Sequence, residues 1–116
     1  MKKKKDKDVV SLEDRFIGAL KKRSLKPSPK LFNLGNKLYL PDFVFNQLIV
    51  EVEDCIQSNR IGIIKEFKKC FPHYTLVLLT NGTKECLDVA KVFDSVVDFN
   101  SIDLLLSEIC KHLSQG

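Results

Sequence analysis

Residues 38–54 read LYLPDFVFNQLIVEVED and contain two apolar segments that are separated by an Asn-Gln pair. This pattern predicts two antiparallel strands joined by a short turn, with acidic residues near the start of the first strand and the end of the second. Because side chains alternate between the two faces of a strand, Glu51 and Glu53 are expected on the same face, and the turn brings Asp42 alongside them. Three carboxylates that meet at the edge of an apolar sheet repel one another and are costly to desolvate. The pattern therefore indicates a site for a divalent cation.

The sequence on both sides of this hairpin predicts an α/β fold. In chain order, the predicted elements are a helix over 9–23, strands over 31–34, 37–45 and 48–53, a helix over 58–71, a strand over 74–80, a short helix over 83–91, a strand over 94–99 and a helix over 101–113. Strands that first form a meander and then alternate with helices indicate a mixed central β-sheet flanked by helices on both faces.

The length and the N-terminal sequence indicate one domain behind a short basic tail. A chain of 116 residues supports a single hydrophobic core. Residues 1–8 read MKKKKDKD and are followed by no apolar segment of the kind found in secretory signals, so they are expected to form a disordered tail ahead of a domain over 9–116. No stretch approaches the roughly 20 apolar residues of a membrane span, which favours a cytoplasmic location and no membrane partner.

The cysteines and histidines do not predict a zinc site. The cysteines are spread singly, with no Cys-x-x-Cys pair, and the chain has two histidines. In a chain without a secretory signal, the cysteines are expected to be reduced thiols, several of them packed in the core. The residues concerned are Cys55, Cys70, Cys86, Cys110, His73 and His112.

The formal charge of +4 is distributed unevenly along the chain. Between Asp14 and Asp42 every charged residue is basic, whereas acidic residues predominate from Glu85 to Glu108. A basic region beside a small acidic cluster suits an enzyme that holds a phosphate backbone with cations and a metal with carboxylates. Charge alone favours the simpler interpretation, in which the lysines form a solvated face.

The order of the acidic residues resembles the metal-dependent nucleases named for their PD-(D/E)xK signature. Pro41-Asp42 matches the beginning of that signature, and Glu51 matches its second acid. Those enzymes usually carry a further glutamate on the helix before the hairpin, which is the place of Glu13. Glu53 stands where the family usually has lysine, although some restriction enzymes of the superfamily have glutamate there. The predicted order of elements over 9–113 is also that of the restriction-endonuclease-like core.

The resemblance implies hydrolysis of phosphodiester bonds in nucleic acid, with DNA favoured. It implies that Asp42, Glu51 and the backbone carbonyl of Val52 hold Mg²⁺ or Mn²⁺, since hard cations select oxygen ligands. Such a metal would acidify the attacking water and neutralise charge on the phosphate, with Glu53 as general base. A lysine of the following helix, Lys65 or Lys68, is the alternative to Glu53.

Candidate phosphate contacts follow from the basic region and from an arginine near the start of the second helix. A nuclease that cuts both strands of a duplex would also favour a homodimer. The candidate nucleic-acid-binding residues are Arg15, Lys21, Lys22, Arg23, Lys26, Lys30 and Arg60.

Two other classes of function stay open. The first is a nuclease-like fold that has lost catalysis and binds nucleic acid or assembles complexes, which Glu53 in the lysine position favours. The second is an unrelated α/β protein-interaction domain, which a wide separation of Asp42 from Glu51 would favour. Single residues also have simpler explanations, because Glu13 suits the N-terminus of a helix and an aspartate after proline is common at turns.

Overall fold

The computed structural model describes residues 11–53, 58–81 and 89–115. Two short 3-10 turns, Val89–Val92 and Phe99–Ser101, flank the last strand. The helices and strands are, in chain order, α1 (Leu12–Lys22), β1 (Phe32–Asn33), β2 (Leu38–Tyr39), β3 (Phe43–Phe45), β4 (Leu48–Val52), α2 (Ser58–Cys70), β5 (Thr75–Thr80), β6 (Ser95–Asp98) and α3 (Ile102–Ser114).

The central sheet has four strands in the order β3-β4-β5-β6. Strands β3 and β4 are antiparallel, whereas β4, β5 and β6 are mutually parallel, so the predicted mixed sheet is confirmed. The predicted Asn-Gln turn joins β3 to β4, and Asn46 adopts a φ of 56° there. Asparagine tolerates this left-handed conformation better than most residues, which explains its place in the tight turn.

Helices cover both faces of this sheet, as the sequence predicts, because alternate strand residues point to opposite sides. Helix α2 covers one face, here called the α2 face, where Ile64 and Phe67 pack against Ile49 and strand β5. Helices α1 and α3 cover the opposite face, the α1/α3 face. The buried helix residues on that face are Phe16, Leu20, Leu105, Leu106 and Ile109.

The predicted strand over 37–45 is wrong in one respect, because it is divided into β2 and β3. Pro41 has no amide hydrogen to donate to a strand ladder, and residues 40–42 lie outside both strands. Strand β2 pairs instead with β1 in a separate two-stranded sheet, with Phe32 opposite Tyr39. This small sheet packs on α2, with the rings of Tyr39 and Phe67 5.0 Å apart between centroids.

The remaining expectations concern the N-terminal tail, the short helix over 83–91, the cysteines and membrane spans. The tail over 1–8 and most of the short helix predicted over 83–91 lie outside the described residues, as do Cys55 and Cys86. Cys70 and Cys110 are exposed, so the expectation of core packing is wrong for these two thiols. None of the helices formed by the described residues has the length and apolarity needed to cross a membrane.

Candidate functional site

The hairpin of β3 and β4 brings Asp42 and Glu51 together at the end of the sheet remote from the Asn-Gln turn. The antiparallel register pairs Phe43 with Val50, which places Asp42 opposite Glu51. Asp42 Oδ2 accepts a hydrogen bond of 2.8 Å from the backbone N–H of Val52, and the amide of Asp42 lies 3.4 Å from Glu51 Oε2. The carboxylate of Asp42 therefore takes the place of a backbone carbonyl where β3 begins.

Glu51 is fully buried, and both of its carboxylate oxygens accept hydrogen bonds. The Tyr39 hydroxyl donates to Oε2 at 2.5 Å. Arg60 donates to Oε1 from Nε at 3.2 Å and from Nη2 at 2.8 Å, and Nη2 also lies 3.0 Å from Oε2. Hydrogen bonds to a charged acceptor are stronger than neutral ones, so these contacts hold the Glu51 side chain in one orientation.

Arg60 lies in the first turn of α2 and links the two carboxylates. Its Nη2 atom is 3.8 Å from Asp42 Oδ1 and donates to the Leu40 carbonyl at 3.0 Å. The guanidinium also lies 5.1 Å from the centroid of the Tyr39 ring. A cation in the first turn of a helix is unfavourable with respect to the helix dipole. The position of Arg60 is therefore explained by the acidic pair and not by the stability of the helix.

Two carboxylates share one guanidinium, so the cluster lacks one positive charge when both acids are ionised. Burial, and next the charge of Asp42, raise the pKa of Glu51 to about 7, although the hydrogen bonds from Tyr39 and Arg60 and the charge of Arg60 oppose the shift. Burial, and next the Glu51 charge, raise the pKa of Tyr39, which keeps its hydroxyl protonated as a donor. Burial lowers the pKa of Arg60, but the charge and hydrogen bonds of Glu51, with the charges of Tyr39 and Asp42, together raise it above its ordinary value, so Arg60 stays charged.

Oxygen atoms of this cluster could ligate a hard divalent cation. Asp42 and Glu51 provide carboxylate oxygens. The N–H of Val52 donates a hydrogen bond to Asp42, and the carbonyl of Val52 points to the same side of β4 as this N–H. Mg²⁺ and Mn²⁺ need few protein ligands because they retain several waters. Within residues 11–53, 58–81 and 89–115, no group of three or more His, Cys, Asp or Glu residues is placed to hold a metal ion. Arg60 Nη2 lies between the two acids, 2.8 Å from Glu51 Oε1 and 3.8 Å from Asp42 Oδ1.

The other two predicted acidic residues differ in their relation to this cluster. Glu53 directly follows β4, and alternation along the strand places it on the α2 face with Glu51; its amide donates to the Leu79 carbonyl at 3.1 Å. Glu13 is exposed on α1, which packs against the opposite face of the sheet. The structure therefore does not bring Glu13 to the residues that bind Glu51.

Most of the predicted phosphate contacts lie away from the acidic pair. Arg60 is the exception, since it is part of the pair's hydrogen-bond network. Arg23 forms an ion pair with Asp103 at 2.9 Å, and the Arg15 guanidinium lies 4.0 Å from the centroid of the Phe99 ring. These contacts border a cavity of about 430 Å³ between α1 and α3, which is also lined by Lys22.

The remaining lysines are placed in two further regions. Lys30 lies near the β3–β4 turn, at the other end of the sheet from Asp42, and donates to the Tyr74 hydroxyl at 3.3 Å. Lys68, the alternative to Glu53 as catalytic group, binds Asp94 at 2.6 Å instead. Lys21, Lys26 and Lys65 are exposed.

Sequence reasoning missed Tyr39 as a member of the site and gave Arg60 a different role. Tyr39 stands in an apolar strand segment, where an aromatic residue is expected for packing alone. Arg60 follows Glu51 by 9 residues and is the basic residue of the first turn of α2, which is a weak signal that its side chain lies near the end of β4.

Comparison with known proteins gives no match. No protein-family model fits the chain, and neither a curated protein nor a solved structure is significantly similar to it. The function must therefore be argued from the Asp42–Glu51–Arg60–Tyr39 cluster, called the acidic site below.

Proposed function

We propose that this chain is a metal-dependent nuclease with a restriction-endonuclease-like core, which hydrolyses phosphodiester bonds of nucleic acid, with DNA favoured. The observation that carries the proposal is the convergence of Asp42 and Glu51, from two neighbouring strands, on a single cationic position. A structural role explains this pair poorly, because burying a carboxylate beside another one costs free energy that an apolar pair would not.

Each residue of the acidic site has a role in this proposal. Asp42 and Glu51 bind Mg²⁺ or Mn²⁺ together with the Val52 carbonyl, while the Tyr39 hydroxyl keeps Oε2 of Glu51 in position. The bound ion supplies Lewis acidity and neutralises charge on the phosphate. Glu53, on the same face as Glu51, accepts the proton of the attacking water at its carboxylate. Basic residues of α1 and the following segment, which lie away from the acidic site, bind the phosphate backbone at a distance from the cleaved bond.

The test is metal-dependent cleavage by three matched variants. Duplex, branched and single-stranded substrates are incubated with Mg²⁺ or Mn²⁺, and Asp42→Asn and Glu51→Gln are each expected to abolish cleavage, since each removes a ligand from a site with few. Asp94→Asn is the control, because Asp94 also accepts a backbone N–H, from Leu76 at 2.7 Å, and pairs with a basic side chain outside the site. Cleavage that persists in both EDTA and Asp42→Asn would refute the metal mechanism.

A second candidate function is a nucleic-acid-binding or assembly module with the same fold and no catalysis. The observation that favours it is that Arg60 already neutralises part of the acidic pair, which gives the carboxylates a partner without metal. Glu53 in the usual lysine position favours it as well. This candidate predicts salt-dependent nucleic-acid binding by the wild type with no cleavage of any of the three substrates, in Mg²⁺ or in Mn²⁺.

A further inference from the structure

We propose that Arg60 is an internal competitor of the metal ion, so that a divalent cation binds Asp42 and Glu51 only when the guanidinium leaves the acidic site. This inference rests on the proposed function, because it concerns the regulation of the same site. It differs from that function in assigning to Arg60 a role that opposes metal binding in the free protein.

The first argument is geometric. A single nitrogen, Arg60 Nη2, lies 2.8 Å and 3.0 Å from the two carboxylate oxygens of Glu51 and 3.8 Å from Asp42 Oδ1. A divalent ion that bridges Asp42 and Glu51 needs the same space, because its ligand oxygens lie about 2.0–2.2 Å away for Mg²⁺. The two cations therefore cannot occupy the position at the same time.

The second argument is electrostatic. Asp42 and Glu51 carry two negative charges when ionised, which Arg60 neutralises in part and a divalent cation neutralises completely. Two cations about 4 Å apart in a buried site would repel each other strongly, because the surroundings screen their charges less than water does. Binding of the metal therefore favours release of the guanidinium, and a guanidinium bound at the acidic site lowers the affinity of that site for the metal.

The third argument concerns the path by which Arg60 can leave. Its side chain is 29% exposed, whereas Glu51 is fully buried, so the guanidinium lies on the solvent side of the acidic site. Besides the acids, it has only the Leu40 carbonyl and the Tyr39 ring as partners in the described part of the chain. A change of side-chain rotamer moves it into solvent without disturbing the sheet. At the rim of the site the released guanidinium can bind a phosphate group through two N–H donors.

The experiment measures binding of Mn²⁺ alone, without nucleic acid, by the loss of the electron paramagnetic resonance signal of free Mn²⁺. Arg60→Gln removes the competing charge and is expected to bind Mn²⁺ tighter than the wild type by on the order of tenfold. Arg60→Lys keeps the charge but loses the fork that reaches both carboxylate oxygens, so its affinity is expected to lie between the two. Lys68→Gln is the control, since Lys68 lies on the same helix and binds a carboxylate outside the site.

Circular dichroism establishes that each variant is folded before binding is compared. An affinity of Arg60→Gln that equals or falls below that of the wild type would overturn the proposal. So would an equal gain in Lys68→Gln. Adding Asp42→Asn to Arg60→Gln is expected to abolish the gained affinity, and Mn²⁺ binding that survives this change would place the metal elsewhere and also overturn it.

These outcomes are distinguishable from a failure of the nuclease function. Tighter Mn²⁺ binding by Arg60→Gln without cleavage of any substrate supports the competition and refutes the nuclease. Metal-dependent cleavage by the wild type with no gain of affinity in Arg60→Gln supports the nuclease and refutes the competition. If neither protein binds Mn²⁺ or cleaves, both proposals are refuted.

Discussion

Replacing Tyr39 with phenylalanine removes a single hydroxyl group from the acidic site and leaves the apolar contacts of the ring in place. That hydroxyl donates to the fully buried Oε2 of Glu51 at 2.5 Å. A hydrogen bond to a charged group contributes about 1.5–3 kcal/mol, and water cannot take the place of the lost hydroxyl at a fully buried oxygen. We therefore expect Tyr39→Phe to lower the free energy of unfolding by about 2 kcal/mol at pH 8, where Glu51 is ionised.

The matched control is Tyr74→Phe, which makes the same chemical change at a partly exposed position. The Tyr74 hydroxyl accepts a hydrogen bond of 3.3 Å from the exposed Lys30. Water can replace this partner, so the expected loss is within about 0.5 kcal/mol. Both variants are measured by urea unfolding in EDTA and followed by far-UV circular dichroism, because the chain has no tryptophan for fluorescence.

Equal losses in the two variants, or a loss below about 0.5 kcal/mol in Tyr39→Phe, would refute the reasoning about the buried hydrogen bond. The same measurement at pH 5 provides a second check. Glu51 is then protonated in the folded protein, and a hydrogen bond between neutral groups contributes only about 1 kcal/mol. The cost of Tyr39→Phe is therefore expected to shrink at low pH.

Two further predictions concern charge. The free energy of unfolding of the wild type relative to Glu51→Gln is expected to fall by up to about 3 kcal/mol as the pH rises from about 4.5 to about 7. Stability falls with pH because folding raises the pKa of Glu51. The contribution of this residue to the free energy of unfolding is fully present below its pKa in the unfolded chain and is lost as the pH rises through its pKa in the folded protein. A difference between the two proteins in urea unfolding that does not change with pH would contradict this prediction. For nucleic acid, changing three exposed lysines to glutamine is expected to reduce the slope of log affinity against log salt by roughly 2–3. Fluorescence anisotropy of a labelled duplex measures this slope, and an unchanged value would show that these lysines make no phosphate contacts. They are Lys21, Lys22 and Lys26.

The helices and the central sheet could be predicted from the sequence because they depend on local periodicity. The helix predicted over 58–71 is α2 at Ser58–Cys70, and its buried residues follow the spacing of one helical face. Ser11 caps α1, since its hydroxyl accepts a hydrogen bond from the Asp14 amide, and serine before an acidic first turn is a local signal for a helix start. The strand over 37–45 is wrong because apolar residues typical of strands stand on both sides of Pro41, whereas strand pairing does not continue through it.

The proximity of Asp42 and Glu51 was also determined by the sequence alone. A two-residue turn fixes the register in which the two strands of the hairpin pair, and in this register the two acids lie opposite each other. What occupies the space between them was decided only by tertiary structure. Arg60 reaches the pair because α2 packs on that face of the sheet, and Tyr39 does so because the small sheet of β1 and β2 docks on α2. A charged side chain has no periodicity that indicates whether it points to solvent or to a buried partner. Its direction is determined by the packing of elements that are separate in the chain.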